Sequence, residues 1–141
     1  MAAADAKLEM LKGVSLFSSM SGKDLQAVER LADEIDVEAG RTIMRQGDHG
    51  NEMYVIASGS VRVERNGKEI ATLGPGQAFG EMSLLSEGPR LATVTTLEPT
   101  TAFVVGHREF HTLMADSAEL RQCILDNLAK RIRMLDEMGT L

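Results

Sequence analysis

Residues 74–94 read GPGQAFGEMSLLSEGPRLATV, and this stretch interrupts a run of short β-like segments. It opens on glycine and proline, gives one turn of helix-forming residues, and closes in a loop ending at Pro89 and Arg90. These are the parts of an anion site. Gly80 has no Cβ, so backbone can approach a ligand closely there. The turn begun by Glu81, Met82 and Ser83 presents N–H groups at a helix start, where a phosphate is favoured. Arg90, with a proline fixing the backbone before it, offers a planar fork of donors that matches two phosphate oxygens. Glu81 has the opposite character: it repels a phosphate but accepts from hydroxyls such as those of a ribose. Such a donor set and acceptor fit a compact sugar phosphate; the alternative is that Glu81 and Arg90 pair with each other.

Outward from this stretch the sequence reads as strands. Segments 35–37 and 42–44 flank residues 38–40, segments 53–58 and 60–65 meet at Ser58 and Gly59, and Asn66 and Gly67 join the latter to 68–73. Asn-Gly between two such runs is the signal for a type I′ hairpin, because both central residues take positive φ. Val61 and Val63 alternate with Arg62 and Glu64, the pattern of a half-buried antiparallel strand. Segments 92–96 and 101–105 follow, on either side of Glu98 and Pro99. About eight short strands at this spacing predict a closed or nearly closed antiparallel barrel of jelly-roll type.

Most of the 13 glycines lie between Gly40 and Gly88, which confines the β core to 35–106. In 13–34, Leu16 and Phe17 precede Ser21, and Leu25, Val28, Leu31 and Ala32 recur at helical steps over 24–34. Residues 1–12 are a helical segment or a tail. From His107 the period is helical again: Phe110, Leu113 and Met114 make a short apolar face, then Leu120, Ile124, Leu128, Ile132 and Leu135 a long stripe capped near Gly139. Arg121, Lys130, Arg131 and Arg133 on that helix read as a solvated basic face, unless the helix covers a ligand. The class is α+β, mainly β.

Composition narrows the function. The chain has 141 residues, 43% hydrophobic and 26% charged, enough for one globular domain. Its 15 basic and 21 acidic residues give a net charge of −6, which opposes attraction to nucleic acid or anionic lipid. With 4% aromatics and no Trp it also lacks stacking platforms for single strands. No apolar run approaches the roughly 18 residues of a membrane span. Cys123 stands alone, so no intrachain disulfide and no cysteine-built zinc site is expected, and a cytoplasmic location follows. His107 and His111 have the i, i+4 spacing of a helical zinc pair, but Glu109 is one place too late for His-Glu-x-x-His and no third ligand is near, so we expect no metal there. A cupin-like metalloenzyme needs clustered strand histidines, and only His49 lies in the middle region. No nucleophile elbow occurs either, so the chain does not read as an enzyme.

FGEMSLL at 79–85, three further residues and PRLATV at 89–94 closely resemble the phosphate-binding cassette of the cyclic-nucleotide-binding domain family. Gly40, Ile43, Gln46, Gly47 and Asp48, with MYVI at 53–56 and SGSVRV at 58–63, also resemble its core pattern, so the resemblance spans about residues 13–135. The family includes regulatory domains of bacterial channels, of catabolite-activator-type regulators and of cyclic-nucleotide-dependent kinases. The resemblance implies a domain over 13–138: an eight-stranded jelly-roll barrel with a cassette at 79–92, an N-terminal helical part, and B and C helices at 107–138. It implies that Arg90 meets the cyclic phosphate, with help from the backbone N–H of Ser83 and Leu91, and that Ala92 belongs to the same phosphate site. Gly80, Glu81 and Met82 would hold the ribose, Glu81 accepting from its 2′-hydroxyl. Val61, Val63 and Phe79 would form the purine wall, and Arg131 a lid residue, at the place of a capping arginine in the bacterial channel-type domains.

One residue departs from the pattern. The family typically carries Ala, Ser or Thr after the cassette arginine, and Thr there goes with cGMP through its hydroxyl. Leu91 cannot donate that bond, which favours cAMP over cGMP. Its bulk also keeps open a degenerate domain serving as a protein-interaction scaffold. The implied role is a regulatory sensor with no cofactor, in which ligand docking repositions the C-terminal helix and signals to an unidentified effector. The binding domain takes up nearly the whole chain, so the expectation is either a free-standing sensor or a domain of a larger receptor.

Overall fold

The computed structural model describes residues 2–139. Two four-stranded antiparallel sheets form a sandwich. In one, β1 (Asp33–Val37), β10 (Thr100–Gly106), β4 (Glu52–Ser58) and β7 (Ala78–Phe79) are bonded in that order; in the other, β2 (Thr42–Met44), β9 (Thr93–Thr96), β5 (Val61–Arg65) and β6 (Lys68–Leu73). A separate ribbon pairs β3 (His49–Gly50) with β8 (Gly88–Pro89).

The expected closed barrel is therefore corrected to an open sandwich. No ladder joins the edge strands of one sheet to those of the other among the described residues. The reason is length: β7 has two residues and β2 three, too few to carry a ladder round, and β2–β9 slips register between Thr42 and Met44. The strands at 35–37, 42–44, 53–58, 60–65, 68–73, 92–96 and 101–105 all form, to within two residues. β3, β7 and β8 are additions, and a Gly-Pro strand has no propensity signature to read. Asn66 (φ 54°) and Gly67 (φ 78°) turn the β5–β6 hairpin with positive φ at both positions.

Apolar residues divide between two clusters. Ile56 and Val104 from one sheet meet Val61, Val63 and Val94 from the other inside the sandwich. On the outer face of β4 and β10, Met53, Val55 and Val105 pack under Leu11, Leu16, Phe17, Val28, Phe110, Leu120 and Ile124 from the helices. Residues 2–12 join this second cluster as helix α1 (Ala2–Lys12), with Leu11 fully buried. Helix α2 (Gly22–Leu31) is capped by Ser21, which accepts from the Asp24 N–H at 3.2 Å. It ends before the predicted 34, because Ala32 turns to extended backbone and Asp33 enters β1. α3 (Met82–Leu85) is a single turn.

The C-terminal part divides at Ser117 into α4 (His107–Asp116) and α5 (Ala118–Glu137). Ser117 Oγ accepts from the Leu120 N–H at 3.1 Å and donates to the buried Asp24 carboxylate at 3.2 Å, tying both helices to α2. The α5 stripe packs only in part. Leu120 and Ile124 are buried and Leu128 partly so, whereas Ile132 and Leu135, the far end of the apolar stripe, are exposed. Asn127 takes a core position instead: its Nδ2 donates to the carbonyls of Leu16 (2.9 Å) and Ser18 (2.7 Å). Gly139 closes the helix at φ 75°, as the sequence suggested.

Candidate functional site

Arg90 is set by the two-residue ribbon. Its N–H donates to the Asp48 carbonyl at 2.7 Å, and its own carbonyl accepts from the Gly47 N–H at 2.9 Å. The side chain then runs inward and is 8% exposed. Nη1 donates to the Glu52 carbonyl (2.8 Å) and to Ser83 Oγ (2.9 Å), and the guanidinium carbon lies 5.9 Å from the centre of the Tyr54 ring. No ion pair among the described residues uses it. A buried cation held by neutral acceptors alone is costly, and an incoming anion relieves that cost.

Two glycines frame the guanidinium. A Cβ on Gly50 would lie 2.2 Å from Arg90 Nε, and one on Gly80 would lie 2.9 Å from Nη1 and from the Glu52 carbonyl oxygen. Gly80 also has φ 77°, which favours glycine on backbone grounds. Gly80 is thus required twice over, by conformation and by contact.

Glu81 does not pair with Arg90. Its carboxylate is 19% exposed and faces Arg131 of α5, Nη2 to Oε2 3.6 Å. Burial raises its pKa above the ordinary glutamate value, and the Arg131 charge opposes that rise. The basic face of α5 is therefore divided: Arg131 turns to the cassette, Arg121 donates to the Met114 and Ala115 carbonyls at the end of α4, and Lys130 and Arg133 are exposed.

Ser83 is buried, but its N–H donates to the Gly80 carbonyl at 3.1 Å. The expected free N–H at that position is corrected: the short turn closes on itself, and Ser83 reaches Arg90 through its hydroxyl. Met82 and Leu91 are 56% and 60% exposed, and the Leu91 carbonyl accepts from Arg65 Nε at 3.0 Å. Val61, Val63, Phe79 and Ala92 are buried in the sandwich cluster. Phe79 stacks on Tyr54 with ring centres 5.0 Å apart. The fold thus brings Gly80, Ser83 and Arg90 together, places Glu81 with Arg131, gathers Val61, Val63 and Phe79 in the sandwich interior, and leaves Met82 and Leu91 facing outward.

Several contributors were not foreseen. Tyr54 supports Arg90 and donates to Glu52 Oε1 at 3.0 Å; burial first, then Glu52, pushes its phenol up to about 12. Glu52 contributes a carbonyl, which no side-chain reading detects. Gly50 lay in the same Gln-Gly-Asp-His-Gly run as the quoted motif, so its spacing was the available signal. A cavity of about 260 Å³ opens on one side of Arg90, between Thr42, Arg45, Asp48, Asn51 and Tyr54; Gly80, Glu81 and Ser83 do not line it.

The three histidines converge beside the same segment. His107 Nδ1 lies 3.1 Å from the Ser83 carbonyl, and His111 Nε2 lies 3.1 Å from that of Leu85. Glu87 sits between His49 (Nε2 to Oε2 3.3 Å) and His107 (Nε2 to Oε1 3.8 Å). Among the described residues no three His, Cys, Asp or Glu side chains are arranged to hold a metal ion, and no helix is long and apolar enough to cross a membrane.

Comparison with known proteins bears on the family and the fold. The family described as "Cyclic nucleotide-binding domain" matches residues 34–117. The cAMP-dependent protein kinase regulatory subunit of Yarrowia lipolytica is 28% identical over 89% of this chain and 33% of its own length. The cyclic AMP receptor protein of Thermus thermophilus is 33% identical over 89% of this chain and 61% of its own length, so the chain spans a third to three fifths of these relatives. Among solved structures, the N-terminal domain of a transcriptional regulator from Streptomyces coelicolor superimposes with a TM-score of 0.83 at 28% identity, covering 91% of this chain and 95% of that one. The regulatory domain of Toxoplasma gondii PKA, solved with cAMP, gives 0.76 at 32% identity, covering 97% and 54%.

Proposed function

Because the chain belongs to the cyclic nucleotide-binding domain family, we propose that it binds a cyclic nucleotide, cAMP in preference to cGMP, and acts as a non-catalytic regulatory sensor. The observation that carries this reading is Arg90: a nearly buried guanidinium with no carboxylate partner among the described residues, packed against two glycines and lining a cavity of about 260 Å³. In the proposed complex the cyclic phosphate takes the fork, the Glu81 carboxylate accepts from the ribose, and the purine lies along Val61, Val63 and Phe79. Two relatives named for cAMP and a neighbour solved with it support the choice of ligand.

Leu91 bears on both rival readings. Its side chain is 60% exposed and does not fill the interior, which supports binding over the scaffold reading. It still offers no hydroxyl to a guanine, so the preference for cAMP stands.

Signal transfer follows from the Glu81–Arg131 contact. A ribose hydroxyl donating to Glu81 changes the partner of Arg131, and with it the balance between positions of α5, which moves whatever effector is attached to or docked on that helix. Calorimetric titration tests the reading: saturable cAMP binding, weaker for cGMP, is expected. At a ligand concentration 100 times Kd the domain should gain about 2.7 kcal/mol against unfolding. No heat and no Tm shift with either nucleotide at millimolar concentration would favour the scaffold instead.

A further inference from the structure

A carbonyl oxygen only accepts, so the contacts of His107 and His111 fix which ring nitrogens carry protons. His107 donates from Nδ1 to the Ser83 carbonyl, and His111 from Nε2 to that of Leu85. A neutral His107 therefore turns the lone pair of Nε2 toward the Glu87 carboxylate, 3.8 Å away. Two electron-rich atoms face each other there, and one proton on Nε2 converts that repulsion into a charge-assisted contact. His107 is the better sheltered of the pair, its side chain 19% exposed against 44% for Glu87.

The proton would sit close to the binding machinery. Ser83, held by His107 at its carbonyl, accepts from Arg90 Nη1 through its hydroxyl, and the His107 N–H itself donates to the Asn51 carbonyl at 2.8 Å. The charged and titratable groups around the ring are Glu87 ahead of β8, His49 on β3, His111 one turn along α4 with ring centres 4.0 Å apart, and Arg90 through Ser83. Glu52 on β4 is engaged by the Tyr54 hydroxyl, and Glu109 turns back over Gly106. Glu87 is thus the carboxylate that meets His107, while His49 and His111 oppose a second charge.

We propose that His107 is a positioning residue that couples nucleotide affinity to pH: its Nδ1–H holds the Ser83 carbonyl, and a second proton on Nε2 against Glu87 tightens the Ser83–Arg90 geometry, so that the cyclic nucleotide binds more strongly as the solution becomes more acidic. Two effects give this sign. A held Ser83 preorganises the fork, and an added positive charge beside an anion site attracts the phosphate. The coupling rests on the cyclic-nucleotide reading; the tautomer does not.

The test has two arms. Imidazole ¹H–¹⁵N correlation spectra of the ligand-free chain should show His107 as the Nδ1–H form at pH 8, gaining its proton at Nε2 on acidification; an Nε2–H form at pH 8 overturns the proposal. Calorimetric titration with cAMP between pH 6 and pH 8 then compares wild type with His107→Asn, whose amide can donate in place of Nδ1, and with His107→Leu. Wild type should bind about fivefold more tightly at pH 6 than at pH 8, in the range of ordinary coupling between sites. His107→Asn should bind like wild type at pH 8 and lose the His107 share of the slope; His107→Leu should lose that share as well and be about fivefold weaker than wild type already at pH 8. Titration of Glu81 is common to all three and cancels in the comparison. An unchanged slope in His107→Asn, or wild-type affinity in His107→Leu, sinks the coupling. A wild type that binds no cAMP sinks the nucleotide reading, and the spectra still decide the His107 contact.

Discussion

Arg90 donates to the Glu52 carbonyl and the Ser83 hydroxyl and, among the described residues, to no carboxylate, so its buried charge is held by neutral acceptors. The glycine beneath it should matter as much as the arginine. Gly50→Ala puts a methyl where Nε now lies, and since β3 is bound on its other side to β8, the guanidinium has to move. We expect cAMP binding at least tenfold weaker by calorimetry, about 1.4 kcal/mol, with circular dichroism unchanged. Glu81 carries a different kind of strain. Its raised pKa means that the ionised form is disfavoured in the folded chain: the cost is absent below the ordinary carboxylate pKa and complete above the raised value. Glu81→Gln should therefore raise the Tm of the ligand-free domain at pH 7, by an amount that shrinks as the pH falls through the acid range, while weakening cAMP binding. A lower Tm at pH 7 contradicts this. At this scale the sequence was informative where function needs a side chain or a missing one. Arg90, Glu81 and Gly80 were legible from chemistry alone; the Glu52 carbonyl and the Tyr54 ring were not, because any residue supplies a carbonyl and a buried tyrosine reads as core.

Among the elements, α5 is where periodicity and packing part company. The apolar spacing runs on to Leu135, yet burial stops near Leu128, since the 3-10 turn (Ser15–Phe17) lies only under the first half of the helix. Periodicity shows which side of a helix is apolar and not how much of it is buried. The anchor is polar instead. Asn127→Leu would leave the Leu16 carbonyl without its amide donor and the Ser18 carbonyl with only the weak Cys123 thiol, at a cost of about 1–3 kcal/mol, and thermal unfolding should show a drop of several degrees. An unchanged Tm would mean that the side-chain contact holds nothing. The short strands illustrate the converse. β8 is Gly88 and Pro89, a pair with no strand propensity, and it exists because β3 offers a partner; this contact, invisible in the sequence, points Arg90 inward.

For the whole molecule, the seven longer strands and the order of helices were accessible from turn spacing, while the three two-residue strands and closure were not. Whether two sheets join depends on the length of their edge strands, and β2 and β7 are too short to bridge them. The resulting sandwich keeps one apolar cluster for the interior, beside Arg90, and a second for the helices outside. The Gly80–Arg90 segment meets the C-terminal helices through polar contacts, Glu81 with Arg131 of α5, and the Ser83 and Leu85 carbonyls with His107 and His111 of α4. The central claim is that the Arg90 fork receives a cyclic phosphate. Calorimetric titration of cAMP into wild type and Arg90→Lys tests it most directly, because lysine keeps the charge and loses the fork. The account predicts saturable binding by wild type and affinity at least thirtyfold weaker in Arg90→Lys, about 2 kcal/mol, with the fold retained. Equal affinity in the two proteins would contradict it.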